Sequence, residues 1–174
     1  MEKSKMTFIT RLSSKFSLIL FKKNNLICFF LILFLFFLDR ISKNKIINMS
    51  EIDSRIYIND FMNIDLVWNT GIGFGLLSSN SNLIYNAISF IIFLVIIFLI
   101  YLIFKSKIVD KILFSIVLGG ALGNFYDRLI FFAVPDFIDL HYQNFHWFTF
   151  NIADIFITVG ILMIIIKDLF FKKL

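Results

Sequence analysis

The sequence predicts an all-α membrane protein, with four transmembrane helices and a small extracytoplasmic β or loop element between helices 1 and 2. Hydrophobic residues make up 59% of the 174 positions, well above the fraction in an average soluble domain. These residues are gathered into four apolar segments separated by charged stretches. Because the chain has a single Pro and no internal repeat, we expect residues 1–174 to form one integral membrane domain.

The four apolar segments account for the four predicted helices. They are Leu26–Leu38, Leu83–Phe104, Ile112–Tyr126 and Ile152–Ile166. The second segment is long enough to cross a bilayer, which requires about 20 residues. The other three segments are shorter, and each ends at a polar residue on one side.

The first segment has two interpretations. Lys15, Lys22 and Lys23 precede a short apolar core, which is also the pattern of a signal peptide. No small-residue cleavage site follows, and the charged run Asp39-Arg40-Ile41-Ser42-Lys43 comes instead. We therefore predict an uncleaved membrane helix, with a cleaved signal peptide as the alternative.

Basic residues orient these helices, because Lys and Arg are enriched in cytoplasmic loops. Twelve of the 17 Lys and Arg residues fall before the first segment, between the second and third, or after the fourth. Both termini are therefore predicted to be cytoplasmic, with residues 1–23 as a basic cytoplasmic N-terminus. Residues 43–80 are predicted to form an extracytoplasmic cradle and flap. The net charge of +5 reflects this topology and does not indicate nucleic-acid binding.

The region between the first two helices contains one predicted strand. Apolar and polar residues alternate from Met62 to Asn69, which is the pattern of a half-buried strand. A turn with glycines at positions 71, 73 and 75 follows, and glycine allows close backbone approach or positive φ there.

The sequence offers little for a metal site or a covalent nucleophile. His141 and His146 lie in an aromatic outer loop, Ile130 to Thr149, without acidic or thiolate partners at ligand spacing, although Asp139 is close to His141. Both histidines are expected to be solvated or interfacial. The single Cys28 lies in an apolar run, where a small buried side chain is its expected role. No metal, cofactor or covalent enzyme intermediate is therefore predicted.

Two Asn/Asp pairs carry the candidate chemistry. Asn124 precedes Asp127 by three residues, and Asn151 precedes Asp154 by the same spacing. Residues three apart share a helix face, and carboxylates inside a membrane are costly and usually functional. Counting about 1.5 Å per residue from the flanking lysines places Asp39, Asp127 and Asp154 at similar depths, near the outer boundary of the hydrocarbon.

Two carboxylates that lie close together share one proton, because both cannot easily ionise. The ionised member can take a proton from water, while the neutral member polarises a carbonyl and later protonates a leaving amine. This chemistry predicts aspartyl proteolysis by Asp127 and Asp154. The alternatives are aspartates that only cap helices or pair with Arg, and a proton-coupled transporter or assembly protein, although a transport path needs polar residues through the midplane.

Five short motifs in the chain resemble those of the lipoprotein signal peptidases, the signal peptidase II family. They occur in the family's order and cover nearly the full length beyond the basic N-terminus. The matching residues are Asp39 and Lys43; Asn69, Gly71, Phe74 and Gly75; Gly119, Gly120, Gly123, Asn124, Asp127 and Arg128; Val134, Asp136, Phe137, Ile138 and Asp139; and Phe150, Asn151, Ala153 and Asp154. Gly73 and Arg40 depart from the family's usual alanine and uncharged residue, and neither is expected to touch the catalytic pair.

The resemblance implies an aspartic endopeptidase of the bacterial cytoplasmic (inner) membrane, surrounded by membrane lipids. It would remove signal peptides from diacylglyceryl-modified prolipoproteins, cleaving before the lipidated cysteine, at a site near the outer leaflet. Asp127 and Asp154 would be the catalytic dyad. The residues expected to bind substrate or support the site are Asp39, Lys43, Asn69, Gly71, Phe74, Gly75, Gly120, Asn124, Arg128, Asp136, Asn151 and Ala153.

Cysteine labelling tests the predicted topology. A membrane-impermeant maleimide applied to intact cells should label Asn59→Cys, because the loop after the first helix is predicted to lie outside. It should label Ser106→Cys only after the membrane is opened, because basic residues hold that loop in the cytoplasm. The parent chain, with Cys28 alone, measures the background, and labelling of Ser106→Cys from outside would contradict the arrangement.

Overall fold

A computed structural model describes residues 22–50, 55–71 and 82–170 of the chain. Within these ranges it contains four helices and one four-stranded sheet. The helices are α1 (Lys23–Ser50), α2 (Asn82–Lys105), α3 (Ile108–Ile130) and α4 (Ile152–Phe170). The strands are β1 (Arg55–Asn59), β2 (Met62–Asn69), β3 (Val134–Tyr142) and β4 (Phe145–Phe150).

Three of these helices are long and apolar enough to cross a membrane: Lys23–Ser50, Leu83–Lys105 and Ile108–Ile130. The 19-residue α4 carries three charged residues, Asp154, Lys167 and Asp168. It is therefore not among the helices that are apolar enough to cross a membrane by composition. The prediction of four helices is therefore confirmed, and the structure supports three of them as candidate spans. α1 also continues to Ser50, so residues 43–50, predicted as part of the cradle, are helical.

α3 lies at the centre of the helices and packs against α1, α2 and α4. Two adjacent glycines permit this close packing. A Cβ at Gly119 would lie 2.8 Å from the Cβ of Leu35, and a Cβ at Gly120 would lie 2.5 Å from the carbonyl oxygen of Ala153. Because real Cβ atoms do not approach so closely, only glycine lets α3 approach α1 and α4 at these positions.

The sheet is antiparallel with the strand order β1-β2-β3-β4. The predicted strand from Met62 to Asn69 is confirmed residue for residue as β2. The β element predicted between the first two helices is present as β1 and β2, but the all-α class leaves out half of the sheet, because β3 and β4 come from the segment between α3 and α4. β3 is a central strand that is buried over most of its length, so its sequence lacks the alternation that reveals a half-buried strand.

The two hairpins form one sheet because β2 pairs with β3, and in chain order one hairpin follows α1 and the other joins α3 to α4. Asn69 at the end of β2 pairs with Val134 at the start of β3. The sheet therefore brings residues from two distant loops together directly above the ends of α3 and α4.

Four charged side chains are buried between α1 and α3: Asp39, Arg40, Lys43 and Asp127. The Nζ atom of Lys43 lies 2.9 Å from Oδ2 of Asp39 and 2.7 Å from Oδ2 of Asp127. Nη2 of Arg40 lies 3.0 Å from Oδ2 of Asp39 and donates to Oδ2 of Asp127 at 2.8 Å. We call these residues the ion cluster; its two cations and two carboxylates balance, as buried charges must.

Replacing Lys43 tests the role of the ion cluster. Lys43→Met should lower the free energy of unfolding by about 3–5 kcal/mol, because breaking a buried pair leaves uncompensated charge. Denaturant unfolding in mixed detergent micelles measures the loss. The matched control is Lys45→Met, an exposed position on the same helix, where we expect a change within about 0.5 kcal/mol. Equal losses in the two variants would contradict a structural role for the cluster.

Candidate active site

Asn151 and Asp154 form a reciprocal cap at the start of α4. The backbone N–H of Asp154 donates to Oδ1 of Asn151 at 3.1 Å, and the N–H of Asn151 donates to Oδ2 of Asp154 at 3.2 Å. This is the arrangement of a capping box, which satisfies amides that have no partner inside the helix. The prediction that this pair shares a helix face was wrong, because Asn151 precedes the helix.

Asp136, in β3, is held by two amide side chains. Nδ2 of Asn69 donates to Oδ2 of Asp136 at 2.8 Å, and Nδ2 of Asn151 donates to Oδ1 at 2.6 Å. Asn151 therefore binds both carboxyl-bearing residues: its oxygen caps the backbone of Asp154 and its nitrogen holds Asp136. This amide links the sheet to the first turn of α4.

A cavity of about 300 Å³ is bounded by α2, α3, α4 and the sheet. Asp136 and Asp154 both line it, together with Asn69, Asn124 and Arg128. The other lining residues are mostly aliphatic: Ile92, Val95, Leu99, Val117, Ala121, Val134, Ile157, Thr158 and Ile161. The cavity thus combines a polar end carrying two carboxyl groups with a long apolar wall.

The two carboxyl groups that line the cavity influence each other. Burial, together with the nearby negative charge of Asp154, raises the pKa of Asp136 to about 6. Hydrogen bonds from Asn69 and Asn151 oppose this rise only in part. A carboxyl group that resists ionisation beside another carboxylate is the arrangement in which two acids share one proton.

Asn124 connects this pair to the ion cluster. Its Nδ2 atom donates to Oδ1 of Asp154 at 2.8 Å, and its Oδ1 atom accepts a hydrogen bond from Nζ of Lys43 at 2.8 Å. Because Lys43 fixes the direction of the amide, the nitrogen must point at Asp154. Asn124, predicted as a supporting residue, therefore links Asp154 to Lys43 of the ion cluster.

Arg128 lines the cavity, and two of its guanidinium nitrogens lack a hydrogen-bond partner among the described residues. Nη2 donates to the carbonyl oxygen of Gly71, and the guanidinium lies 5.4 Å from the ring centroid of Tyr85. The Tyr85 hydroxyl donates back to the carbonyl oxygen of Arg128 at 2.7 Å. Nε and Nη1 of Arg128 are buried and have no hydrogen-bond partner among the described residues. Two cationic donors are therefore available at the cavity wall.

Asp39 supports the same end of α4 from the side of α1. Its Oδ1 atom accepts the N–H of Ala153 at 3.1 Å, another free amide of the first turn. A Cβ at Gly123 would contact Oδ2 of Asp39, so glycine at this position makes room for the carboxylate. Asp39, Gly120 and Ala153 thus fix how α1, α3 and α4 meet below the cavity.

The structure separates Asp127 from the cavity. Asp127 is fully buried. The described residues that line the cavity do not include it. Its Oδ2 atom is bound by Lys43, and Nη1 of Arg40 lies 2.5 Å from its Oδ1 atom. The expectation that Arg40 touches neither member of the predicted pair was therefore wrong.

Asp136 was predicted as a supporting residue, whereas the structure brings it to the cavity beside Asp154. A sequence signal existed, because Asp136 interrupts the apolar run from Phe131 to Ile138, where a buried carboxylate is costly. Gly71, also predicted as a supporting residue, accepts a hydrogen bond from Arg128 and donates its N–H to Oδ1 of Asn69. The predicted residues Phe74 and Gly75 lie outside the described residues.

The chain is similar to known proteins over most of its length. A family model described as signal peptidase (SPase) II matches residues 31–170. The lipoprotein signal peptidase of Pelagibacter ubique (strain HTCC1062) is 46% identical over 153 residues, which cover 87% of this chain and 92% of that protein. The lipoprotein signal peptidase of Francisella tularensis subsp. novicida (strain U112) is 42% identical over 130 residues, covering 71% and 79%.

A solved structure of a bacterial membrane enzyme, obtained by the in meso method, has the same fold. It superposes with a TM-score of 0.71 at 30% sequence identity, covering 84% of this chain and 91% of that one. The sequence matches and the shared fold lead to one conclusion: this chain belongs to the signal peptidase II family, aspartic proteases that cleave signal peptides from prolipoproteins.

Proposed function

We propose that this chain hydrolyses its substrate with Asp136 and Asp154 as the catalytic pair, and that Asp127 is a structural residue of the ion cluster. The observation that carries the proposal is that Asp136 and Asp154 line one cavity and are linked through Asn151. Asp127 is instead bound by two cations. A carboxylate neutralised in this way is a poor general base, because its charge is already committed.

The reaction uses one shared proton. Asp136, with its raised pKa of about 6, holds the proton and polarises the scissile carbonyl. Asp154 is ionised and takes a proton from the attacking water, which adds to the carbonyl carbon. Asp136 then gives its proton to the amine nitrogen and the C–N bond breaks, which leaves one proton on the pair, now held by Asp154. No covalent enzyme intermediate and no metal is needed for these steps.

Arg128 and Asn124 assist the two acids. The free Nε and Nη1 donors of Arg128 are suited to hold a backbone carbonyl of the substrate in the cleft. Such donors also stabilise negative charge that develops during acyl transfer. Asn124 keeps Asp154 oriented, since its own direction is fixed by Lys43.

The apolar wall of the cavity suits the substrate class. We propose that the substrate is a diacylglyceryl-modified prolipoprotein, cleaved just before its lipidated cysteine. The apolar stretch of a signal peptide and an acyl chain can both pack against the aliphatic side chains of α2, α3 and α4. The polar groups at the cavity end would then face the peptide bond that is cut.

We also propose the placement of the chain in the membrane. Four helices would cross the bacterial cytoplasmic (inner) membrane, with both termini in the cytoplasm and the site near the outer leaflet. Many large apolar side chains of α2 point outward, including Phe90, Ile91 and Phe98, which suits contact with membrane lipids. The short α4, roughly 28 Å long at 1.5 Å per residue, fits this scheme if its capped start lies at the membrane surface.

Substitution of the three aspartates tests the assignment. Asp136→Asn and Asp154→Asn should each lower turnover of a lipidated precursor by roughly 10²–10⁴-fold, because general acid or base catalysis is lost. Asp127→Asn should lower stability but keep most turnover per folded molecule. Appearance of the shortened product on a gel measures the rate, and its mass locates the cut.

The control is Asp65→Asn, a partly exposed carboxylate on β2 outside the cavity, which should cleave like the parent. Loss of turnover in folded Asp127→Asn, with turnover retained in Asp136→Asn, would overturn the assignment and restore Asp127 as the partner of Asp154.

The pH dependence provides a separate test. The plot of kcat/KM against pH should be bell-shaped. The rate should fall as pH rises through about 6, because the pair loses its shared proton there. It should also fall at lower pH, where the second carboxylate is protonated; both limits belong to the pair as a unit. A rate that stays constant as pH rises through about 6 would contradict the shared-proton mechanism.

A further inference from the structure

Three side chains that the proposed reaction does not use lie together in the sheet: Asp139, His141 and His146. One potential ligand atom from each lies within 4.8 Å of the others. Nδ1 of His146 is 2.8 Å from Oδ2 of Asp139, and Nδ1 of His141 is 3.9 Å from the same oxygen. The sequence did not reveal this group, because it did not show that these residues fold into a hairpin.

The hairpin itself brings the two histidines together. His141 in β3 and His146 in β4 are direct cross-strand partners, and their ring centroids are 5.3 Å apart. A tight turn at Gln143, which has a positive φ of 54°, connects the two strands. Because backbone pairing fixes both positions, the two imidazoles and the carboxylate are preorganised by the fold.

Asn63 in β2 lies beside these three residues, and its side-chain oxygen lacks a hydrogen-bond partner among the described residues. It is the cross-strand partner of Asp139, and its Nδ2 atom lies 3.4 Å and 3.5 Å from the two ring nitrogens of His141. These distances are too long for good hydrogen bonds. Its Oδ1 atom is buried and has no partner among the described residues, although a buried acceptor left unsatisfied costs about 1–3 kcal/mol. Turning the amide over would bring this oxygen to the side of His141.

We propose that Asp139, His141 and His146 bind one divalent transition metal ion, with Zn²⁺ as the best fit. Two imidazoles and one carboxylate form a donor set that zinc commonly takes, with a fourth position left for water or another oxygen. The Asn63 oxygen can fill that position directly or through a water molecule. A cleft of about 380 Å³, lined by Asn63, both histidines and Gln143 among others, gives the ion access from outside.

Arg55 competes with the metal for the same carboxylate. Its Nη2 atom lies 3.2 Å from Oδ2 of Asp139 and 3.3 Å from Nε2 of His146. The Arg55 side chain is 47% exposed and also lies 3.7 Å from Asp65. It can therefore move away from Asp139 and keep a carboxylate partner. Without the metal, Arg55 supplies the positive charge that the buried Asp139 requires.

The bound ion would clamp β4 to β3, and through Asn63 to β2. Asp139 is three residues along β3 from Asp136, or roughly 10 Å at the rise of a strand, and neither histidine lines the catalytic cavity. The site is thus separate from the proposed catalytic pair. Its effect is to stabilise the sheet that carries Asp136 and Asn69, and the inference stands on the hairpin geometry whether or not the proposed mechanism is correct.

Zinc titration of the full chain tests the site. The protein, purified in detergent without a histidine tag and stripped of metal, is titrated with ZnCl₂ in a calorimeter, and its thermal unfolding is recorded with and without ZnCl₂. We expect one Zn²⁺ per chain and a higher unfolding temperature with zinc, because a ligand that binds only the folded state stabilises it. The chain has two His residues and one Cys, so few other zinc ligands of these types compete.

His146→Ala is the decisive variant, because the His146 side chain is 44% exposed and its loss should not prevent folding. Zinc affinity should fall at least about tenfold, and the thermal shift should disappear. Asp60→Asn, an exposed carboxylate in the turn between β1 and β2, is the matched control and should bind zinc like the parent. Arg55→Gln should bind zinc more tightly, because the competing cation is gone. Failure of the parent to take up one Zn²⁺, or equal affinity in His146→Ala, would overturn the proposal.

Discussion

Pairing of buried charge is the constraint on which the rest of this structure depends. Asp39, Arg40, Lys43 and Asp127 lie between α1 and α3 with almost no exposure, and each carboxylate contacts both cations. An unpaired charge in this position would cost several kcal/mol. The two helices can therefore pack only in the register that pairs all four groups.

That register determines the geometry of the site. Lys43 orients the amide of Asn124, and Asn124 in turn donates to Asp154. On the other side of the cluster, Asp39 accepts the free N–H of Ala153 in the first turn of α4. The ion cluster is thus connected to the cavity by two short hydrogen-bonded paths, although none of the chemistry proposed for the cavity occurs within it.

The buried carboxyl groups fall into two kinds according to what holds them. Asp39 and Asp127 are held by cations, because each carboxylate forms ion pairs with both Arg40 and Lys43. Asp136 receives its hydrogen bonds from the neutral amides of Asn69 and Asn151, which orient the carboxyl group without cancelling its charge. A group held by neutral donors beside another carboxylate can gain or lose a proton during a reaction. This difference in partners distinguishes the carboxyl groups of the ion cluster from Asp136, which lines the cavity.

The sequence by itself determined the four helices and the strand β2, because these depend on local properties, while the supporting residues of the site were expected from the family resemblance. Apolar segments, alternation from Met62 to Asn69 and the cost of a carboxylate in an apolar run can all be read along the chain. The tertiary structure alone decided which carboxyl groups meet. Asp127 and Asp136 are nine residues apart and both interrupt apolar runs, but one turns toward Arg40 and Lys43 and the other toward Asn151. It also decided that His141, His146 and Asp139 converge, and that β3 and β4 exist as strands. Each of these outcomes depends on contacts between segments that are far apart in the chain. The local pattern of apolar and polar residues does not show which distant segments pair.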